Sequence, residues 1–413
     1  MKQSMKRWFP VLLLGLSLFL LSIVQLLLIW PRLLDSLALP FLPASLRVLI
    51  PALAGGTLIW LAARRIRPLS PLLSERLPED FQTPLVDHSS VDREPHIVAI
   101  GGGTGMPSLL RGLTPHTSNI TAIVTVADDG GSSGRLRKEL GLLPPGDFRN
   151  NLAALARDEA LMTQVLQYRF GGLPGQNGQG ELQGHAFGNL LLAALTGITG
   201  SFDEALLAAQ EVLALRGQVL PSTLDNVTLV AEVEMPAQPA VRHRVVGESA
   251  ISSAGGLIKQ IVLEPSQARA YPPALRAIFQ ADLLILGPGS LYTSILPNLL
   301  VTDLAEALIH ARGRVVYVCN IAMQPGETDG YTVADHVHAI LQHVPAGVLD
   351  LVLANDNLAI QPDTGLGITR FVLPVPPDTV PMKTMDLVDE SRPWRHDSVK
   401  LGEAILEILH ELE

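Results

Sequence analysis

Cysteine is almost absent from this chain. The one residue, Cys319, excludes an intramolecular disulfide and a cysteine-built metal cluster. It ends the apolar run Val315-Val316-Tyr317-Val318-Cys319 and reads as buried core. Basic charge is scarce over most of the length. Of 30 Lys/Arg and 40 Asp/Glu, residues 1–67 take 8 and 1, so the net charge of −10 divides into +7 there and −17 over the rest. An acidic globe lacks the basic face that binds nucleic acid, and no nucleic-acid partner is expected. Internal repeats are lacking too. The glycine cluster at 101–105 lacks dinucleotide-fingerprint spacing, which disfavours an NAD-dependent oxidoreductase, although Asp128 mimics the acidic residue that ends the second strand of such a unit.

What is abundant is apolar residues, at 47%, with a mean hydropathy of +0.30. The excess lies at the front. Residues 11–30 form an uncharged, Leu-rich run long enough to span a bilayer as a helix. Residues 48–63 form a second, shorter run, extended to Leu46 when Arg47 snorkels. Lys2, Lys6 and Arg7 precede the first run, and Arg64, Arg65 and Arg67 follow the second. The positive-inside bias therefore predicts a two-helix membrane hairpin over 1–67 (helices about 11–30 and 46–63), multi-pass in the cytoplasmic membrane. Its basic flanks suit lipid headgroups, and residues 68–413 fall in the cytoplasm. The competing reading of the first run is a cleaved signal peptide.

Residues 68–95, rich in Pro, Ser and acidic residues, read as a linker. From 96 to 413 strands and helices alternate. Strands are expected at 97–100, 120–126, 283–286, 315–318 and 349–354. Helices are expected at 107–113, 151–160, 190–195, 203–216, 273–281, 302–311, 333–343 and 398–412. This is the pattern of an α/β, Rossmann-like, doubly wound and mainly parallel sheet. Segments 228–234 and 242–248 read as a hairpin-like insertion, and 171–184 as a Gly/Gln-rich loop.

The chemistry-bearing motifs sit at strand ends. Gly101, Gly102, Gly103, Thr104 and Gly105 follow the first strand and precede a helix, where backbone N–H groups approach an anion. Asp128 and Asp129 end the second strand, followed by a glycine loop with Ser132 and Ser133. A carboxylate there holds magnesium, hydrogen-bonds sugar hydroxyls, or caps the loop. Asp147 converges with them or caps the helix at 151–160. Arg149 and Asn150 offer a cation and an amide. His185 and Asn189 open another helix, His185 as a proton carrier, a ligand contact or a structural histidine. Gly287, Gly289, Ser290, Tyr292 and Thr293 make a second strand–turn–helix anion site. Asn320 and Asn355 end later strands, as base or sugar readers or as turn formers.

Taken in order, these motifs resemble the YvcK/CofD-like family, and its YvcK branch in particular. They are Gly-Gly-Gly-Thr-Gly at 101–105, Asp-Asp-Gly-Gly-Ser-Ser-Gly at 128–134 and Pro-Pro-Gly-Asp at 144–147. Gly-His at 184–185, Gly-Asn at 188–189 and Leu-Pro-Ser-Thr at 220–223 follow. Gly-Pro-Gly-Ser-Leu-Tyr-Thr-Ser at 287–294, Gln-Pro-Gly-Glu-Thr at 324–328 and Arg-His-Asp at 395–397 complete the series, which adds Arg395 to the expected binding residues. The resemblance covers 96–413. It implies a UDP-N-acetylglucosamine-binding regulator of carbon use, cell-wall synthesis and cell shape that requires no cofactor and has no established catalysis as an enzyme. A second copy of the chain joins the UDP-sugar and the bilayer as expected partners. The alternative is the sister branch, a transferase that moves phospholactate from a guanosine diphosphate donor onto a deazaflavin. It implies magnesium held by Asp128, Asp129 and Asp147. The segment Gly-Gly-Ser-Ser-Gly after the paired aspartates departs from that branch. Ala322-Met323 stands where the family pattern leads one to expect a polar residue before Gln324.

Overall fold

The computed structural model describes residues 94–171, 180–237, 241–345, 347–359 and 370–412. The membrane-hairpin and linker segments at 1–67 and 68–93 lie outside the described residues.

The central sheet is built from strands buried on both faces. β1 (Ile97–Gly101) is five residues of Ile, Val, Ala and Gly with no exposed position. β2 (Ile120–Val124) and β7 (Leu283–Leu286) are the same, which is the signature of strands covered by helices on either side. β3 (Gln218–Pro221), β8 (Arg314–Val318), β9 (Leu351–Asn355) and β10 (Met382–Met385) complete a seven-stranded sheet in the order β10-β9-β8-β7-β1-β2-β3. Every pairing in it is parallel. The chain winds outward from β1 through β2 to β3, then returns to β7 and winds the other way. The direction reverses between β1 and β7, and the carboxyl ends of those strands form the crevice where such sheets place ligands.

The helices follow in chain order. They are α1 (Met106–Leu113), α2 (Gly131–Leu140), α3 (Gly146–Leu155), α4 (Glu159–Gln167), α5 (Phe187–Thr199), α6 (Phe202–Val212), α7 (Glu248–Ser253) and α8 (Pro272–Gln280). After β7 come a π-helical turn (Leu291–Ile295), α9 (Leu296–Leu299), α10 (Thr302–Ile309), α11 (Val333–His343) and α12 (Ser398–Leu412). A small antiparallel sheet, β4 (Thr228–Glu234), β5 (Arg242–Val246) and β6 (Leu257–Glu264), has the order β5-β4-β6.

The α/β class and parallel winding expected from the sequence are present. The glycine-rich stretch after Asp129 is not a loop: Gly131–Leu140 is helical, ended by Gly141 in the left-handed conformation. The expected helix at 151–160 starts five residues earlier, and Glu159–Gln167 is a separate helix. Asp158 caps that second helix by accepting from Leu161 N–H at 3.1 Å, which accounts for the break. Asp147 is therefore not the cap of a helix at 151; it lies in the first turn of α3. The hairpin-like insertion gains β6 as a third strand, separated from it by α7.

Candidate functional site

The two glycine turns interlock. Asn298, on α9, donates to the Gly101 carbonyl at 3.0 Å, and Gly287 N–H donates to Ile100 O at 2.8 Å. Gly103 has a φ of +65°, and a β-carbon there would sit 2.9 Å from Ser294 Oγ. A β-carbon on Gly102 would lie 2.6 Å from Asp147 Oδ2. The close approach of β1, β7 and α3 thus requires glycine at both positions.

A cavity of about 360 Å³ opens between these turns, α2, α3 and the start of α7. Of the sequence-expected residues, Gly103, Thr104, Asp128, Ser132, Ser133, Asp147, Arg149, Asn150, Asn189, Ser290 and Thr293 line it. Gly101, Gly102, Gly105, Gly287 and Gly289 shape the turns behind the lining. Arg169, Glu248 and Ser294 also line the cavity and went unrecognised in the sequence. Ser294 lay inside a recognised motif. Glu248 was the last residue of the hairpin-like segment 242–248 and Arg169 lay in an unassigned stretch, so nothing local marked either.

The carboxylates divide their tasks. Asp147 Oδ2 accepts Gly103 N–H at 2.7 Å, so an amide of the first anion cradle is already engaged from within the protein. Burial, reinforced by Asp128, pushes the Asp147 carboxyl up to about 7. Asp128 Oδ1 accepts Gly130 N–H at 2.8 Å in a turn. Its pKa is also raised, first by burial. Asp129 points away: its Oδ1 accepts Ser249 N–H at 2.9 Å and caps α7. A β-carbon on Gly247 would lie 2.2 Å from Asp129 Oδ2, so this contact also demands glycine. Glu248 is raised to about 8 by burial and then by the neighbouring carboxylates, Asp128 first.

A polar network stands opposite. Arg149 donates to Asn189 Oδ1 and to Asn150 Oδ1, each at 2.9 Å. Asn189 Nδ2 donates to Ser132 Oγ at 3.0 Å, and Ser132 Oγ lies 3.0 Å from His185 Nδ1. Ser132 Oγ thus links the Asn189 amide to the His185 ring. His185 is buried behind the wall, its pKa lowered first by burial. It orients Ser132 and does not line the cavity.

Besides Asp129 and His185, four more expected residues lie elsewhere. Tyr292 turns its hydroxyl to Tyr331 at 2.9 Å, and its pKa is raised, first by burial. Asn355 is spent on its own turn, accepting Leu387 N–H at 3.1 Å and donating to Asn357 O at 2.9 Å. Asn320 and Arg395 do not line the cavity; for Arg395, burial and then Arg392 and Arg111 lower the pKa. At the departure from the family pattern, Ala322 is buried and bridges Phe371, so backbone pairing takes the place of a polar contact.

Among the described residues no group of three or more His, Cys, Asp or Glu could hold a metal ion. Asp128 and Asp147 line the cavity together, while Asp129 turns to Ser249, so the three aspartates do not all converge.

Fold and cavity together define a Rossmann-like α/β protein with a glycine-lined polar site at the reversal point of its sheet. A family profile described as 2-phospho-L-lactate transferase CofD matches residues 97–367. The gluconeogenesis factor of Bacillus subtilis (strain 168) is 44% identical over 328 residues, 77% of this chain and 99% of its own. That of Halalkalibacterium halodurans is 43% identical over 323 residues, 76% and 97%. A crystal structure of a Bacillus halodurans protein, 42% identical, matches with a TM-score of 0.68 over 76% of this chain and 100% of that one. The chain belongs to the CofD family, within which its curated relatives carry the name gluconeogenesis factor.

Proposed function

We propose that this chain binds a UDP-sugar, UDP-N-acetylglucosamine in particular, and acts through that binding as a regulator of carbon metabolism, cell-wall synthesis and cell shape. The reading rests on one observation above the others. The cavity at the sheet's reversal point combines hydroxyls of Ser290, Thr293 and Ser294, two arginines and a carboxylate wall. Hydroxyls and guanidinium groups suit a diphosphate, and carboxylates accept sugar hydroxyls. The relatives' names support the regulatory half. Binding is tested by calorimetric titration with UDP-sugars, guanosine nucleotides and NAD. Saturable UDP-N-acetylglucosamine binding supports the reading, and preference for a guanosine nucleotide contradicts it.

The apolar runs at 11–30 and 48–63 and their basic flanks support anchoring in the cytoplasmic membrane with both ends inside. Among the described residues no single helix is long and apolar enough to cross a membrane, so the anchor rests on the segment 1–67 alone. A reporter fused after Glu413 is active only in the cytoplasm if the hairpin forms; extracytoplasmic activity refutes it.

One observation favours a second reading, a phosphotransferase. Asp147 and Glu248 carry protons near neutral pH, as acid–base groups do. Turnover of a guanosine diphosphate donor, abolished in Asp147→Asn, would establish it.

A further inference from the structure

We propose that Glu327 is a positioning residue of the ligand site, holding the proton of the Thr293 hydroxyl out of the cavity so that Thr293 meets the bound nucleotide sugar as a hydrogen-bond acceptor. This role rests on the UDP-sugar reading of the cavity and adds to it a residue that stands behind the wall. Glu327 belongs to Gln-Pro-Gly-Glu-Thr at 324–328, a recognised motif of which no residue lines the cavity. It is 3% exposed. Three donors meet on one of its oxygens: Gln324 Nε2 at 2.8 Å, Ser252 Oγ at 2.9 Å and Thr293 Oγ1 at 3.0 Å, all on Oε1. Oε2 is buried with no hydrogen-bond partner. The oxygen that collects an amide and two hydroxyls is the accepting one in either charge state, since the proton of a neutral acid goes to Oε2. A buried carboxyl with an unmatched oxygen is a cost to the fold that packing alone does not explain.

Thr293 lines the cavity from the π-helical turn after β7. Turns of this kind recur at functional sites. A hydroxyl carries one proton and two lone pairs. With its proton given to Glu327, Thr293 offers the cavity only lone pairs. The Ser290 and Ser294 hydroxyls line the same cavity, have no such bond among the described residues, and stay free to donate. The three hydroxyls therefore divide. Ser290 and Ser294 suit the oxygens of a diphosphate, and Thr293 suits an O–H or N–H of the sugar or base. Ser252 brings in a second wall. Glu248 and Ser252 are four residues apart on α7, hence on one face of it. Glu248 lines the cavity and Ser252 reaches Glu327. One carboxyl thus ties the Thr293 wall to the α7 wall.

The experiment is calorimetric titration of the full chain with UDP-N-acetylglucosamine, GDP and NAD, the variants being measured on whichever of the three titrates the parent. The parent decides the ligand, and the variants decide the role of Glu327. Thr293→Val and Glu327→Leu each weaken binding at least tenfold. Together they weaken it no more than about threefold beyond either alone, because Glu327 acts only through the Thr293 hydroxyl. Glu327→Gln sets an amide oxygen where Oε1 stood and stays within about threefold of the parent. Ser252→Ala added to Glu327→Leu removes a donor that leucine leaves unpaired, so the same comparison is made if leucine alone does not fold. Losses that multiply to a hundredfold in the double variant overturn the proposal, since a residue that only holds the fold together acts whatever stands at 293. So does a Glu327→Gln loss as deep as that of Glu327→Leu, a Thr293→Val chain that binds like the parent, or a parent that titrates none of the three nucleotides.

Discussion

Replacing Asp147 by Asn separates its hydrogen bond from its charge. An amide oxygen still accepts from Gly103 N–H, but the side chain no longer ionises. In the folded protein the Asp147 carboxyl has a pKa of about 7 against an ordinary 3.8. A folded-state pKa above the unfolded one means that the folded state holds the proton more tightly. Stability is then unaffected below about pH 4 and is lost as pH rises toward 7. The full shift corresponds to about 4 kcal/mol at roughly 1.4 kcal/mol per unit. The carboxyl opens on a polar cavity, and solvent screening there reduces this to about 1–2 kcal/mol. A contribution of that size corresponds to a shift of about one unit, so Asp147→Asn is expected to be more stable than the parent by that amount at pH 8, by most of it at pH 5, and by nothing at pH 3. Denaturant unfolding at the three pH values measures the difference. A difference independent of pH, or a variant less stable than the parent at pH 8, refutes the reasoning.

Gly103→Val forces a β-branched residue to φ +65° and sets a β-carbon against Ser294 Oγ. Strain of about 1–2 kcal/mol is expected, with UDP-sugar affinity reduced at least tenfold by calorimetry; unchanged affinity removes the turn from the binding site. Asp129→Ala removes the cap on Ser249 N–H and costs about 1 kcal/mol. Since Asp129 faces α7, UDP-sugar affinity changes less than threefold in that variant, and a larger loss places Asp129 in contact with ligand.

Much of the fold was legible because buried parallel strands and long amphipathic helices announce themselves. The runs at 283–286, 333–343 and 398–412 have the same bounds in sequence and structure. The glycine turns were legible from their place between strand and helix. The helix at 131–140 was hidden because it begins with Gly-Ser-Ser-Gly, poor helix formers held by tertiary contacts. β3 and β10 were hidden because Gln-Val-Leu-Pro and Met-Lys-Thr-Met lack the continuous apolar run that marks the equally short Leu283–Leu286. In the site, Gly103, Thr104, Asp128, Ser132, Ser133 and Ser290 line the cavity because the glycine turns beside them fix their backbone. Asn320, Asn355 and Arg395 stand away from that cavity, because a polar strand end or motif does not reveal which way its side chain turns. Glu248 reaches the cavity only through the fold-back of the small sheet, a long-range arrangement that no local pattern encodes.

The central claim is that the cavity between Gly103 and Ser294 binds a UDP-sugar without a metal and without turnover. The most direct measurement is calorimetric titration of the full chain with UDP-N-acetylglucosamine, with and without EDTA, beside a product assay in magnesium. The account predicts a dissociation constant on the order of micromolar, unchanged by EDTA, with no nucleotide product. Affinity lost on chelation, with magnesium-dependent release of a nucleoside mono- or diphosphate, would contradict it.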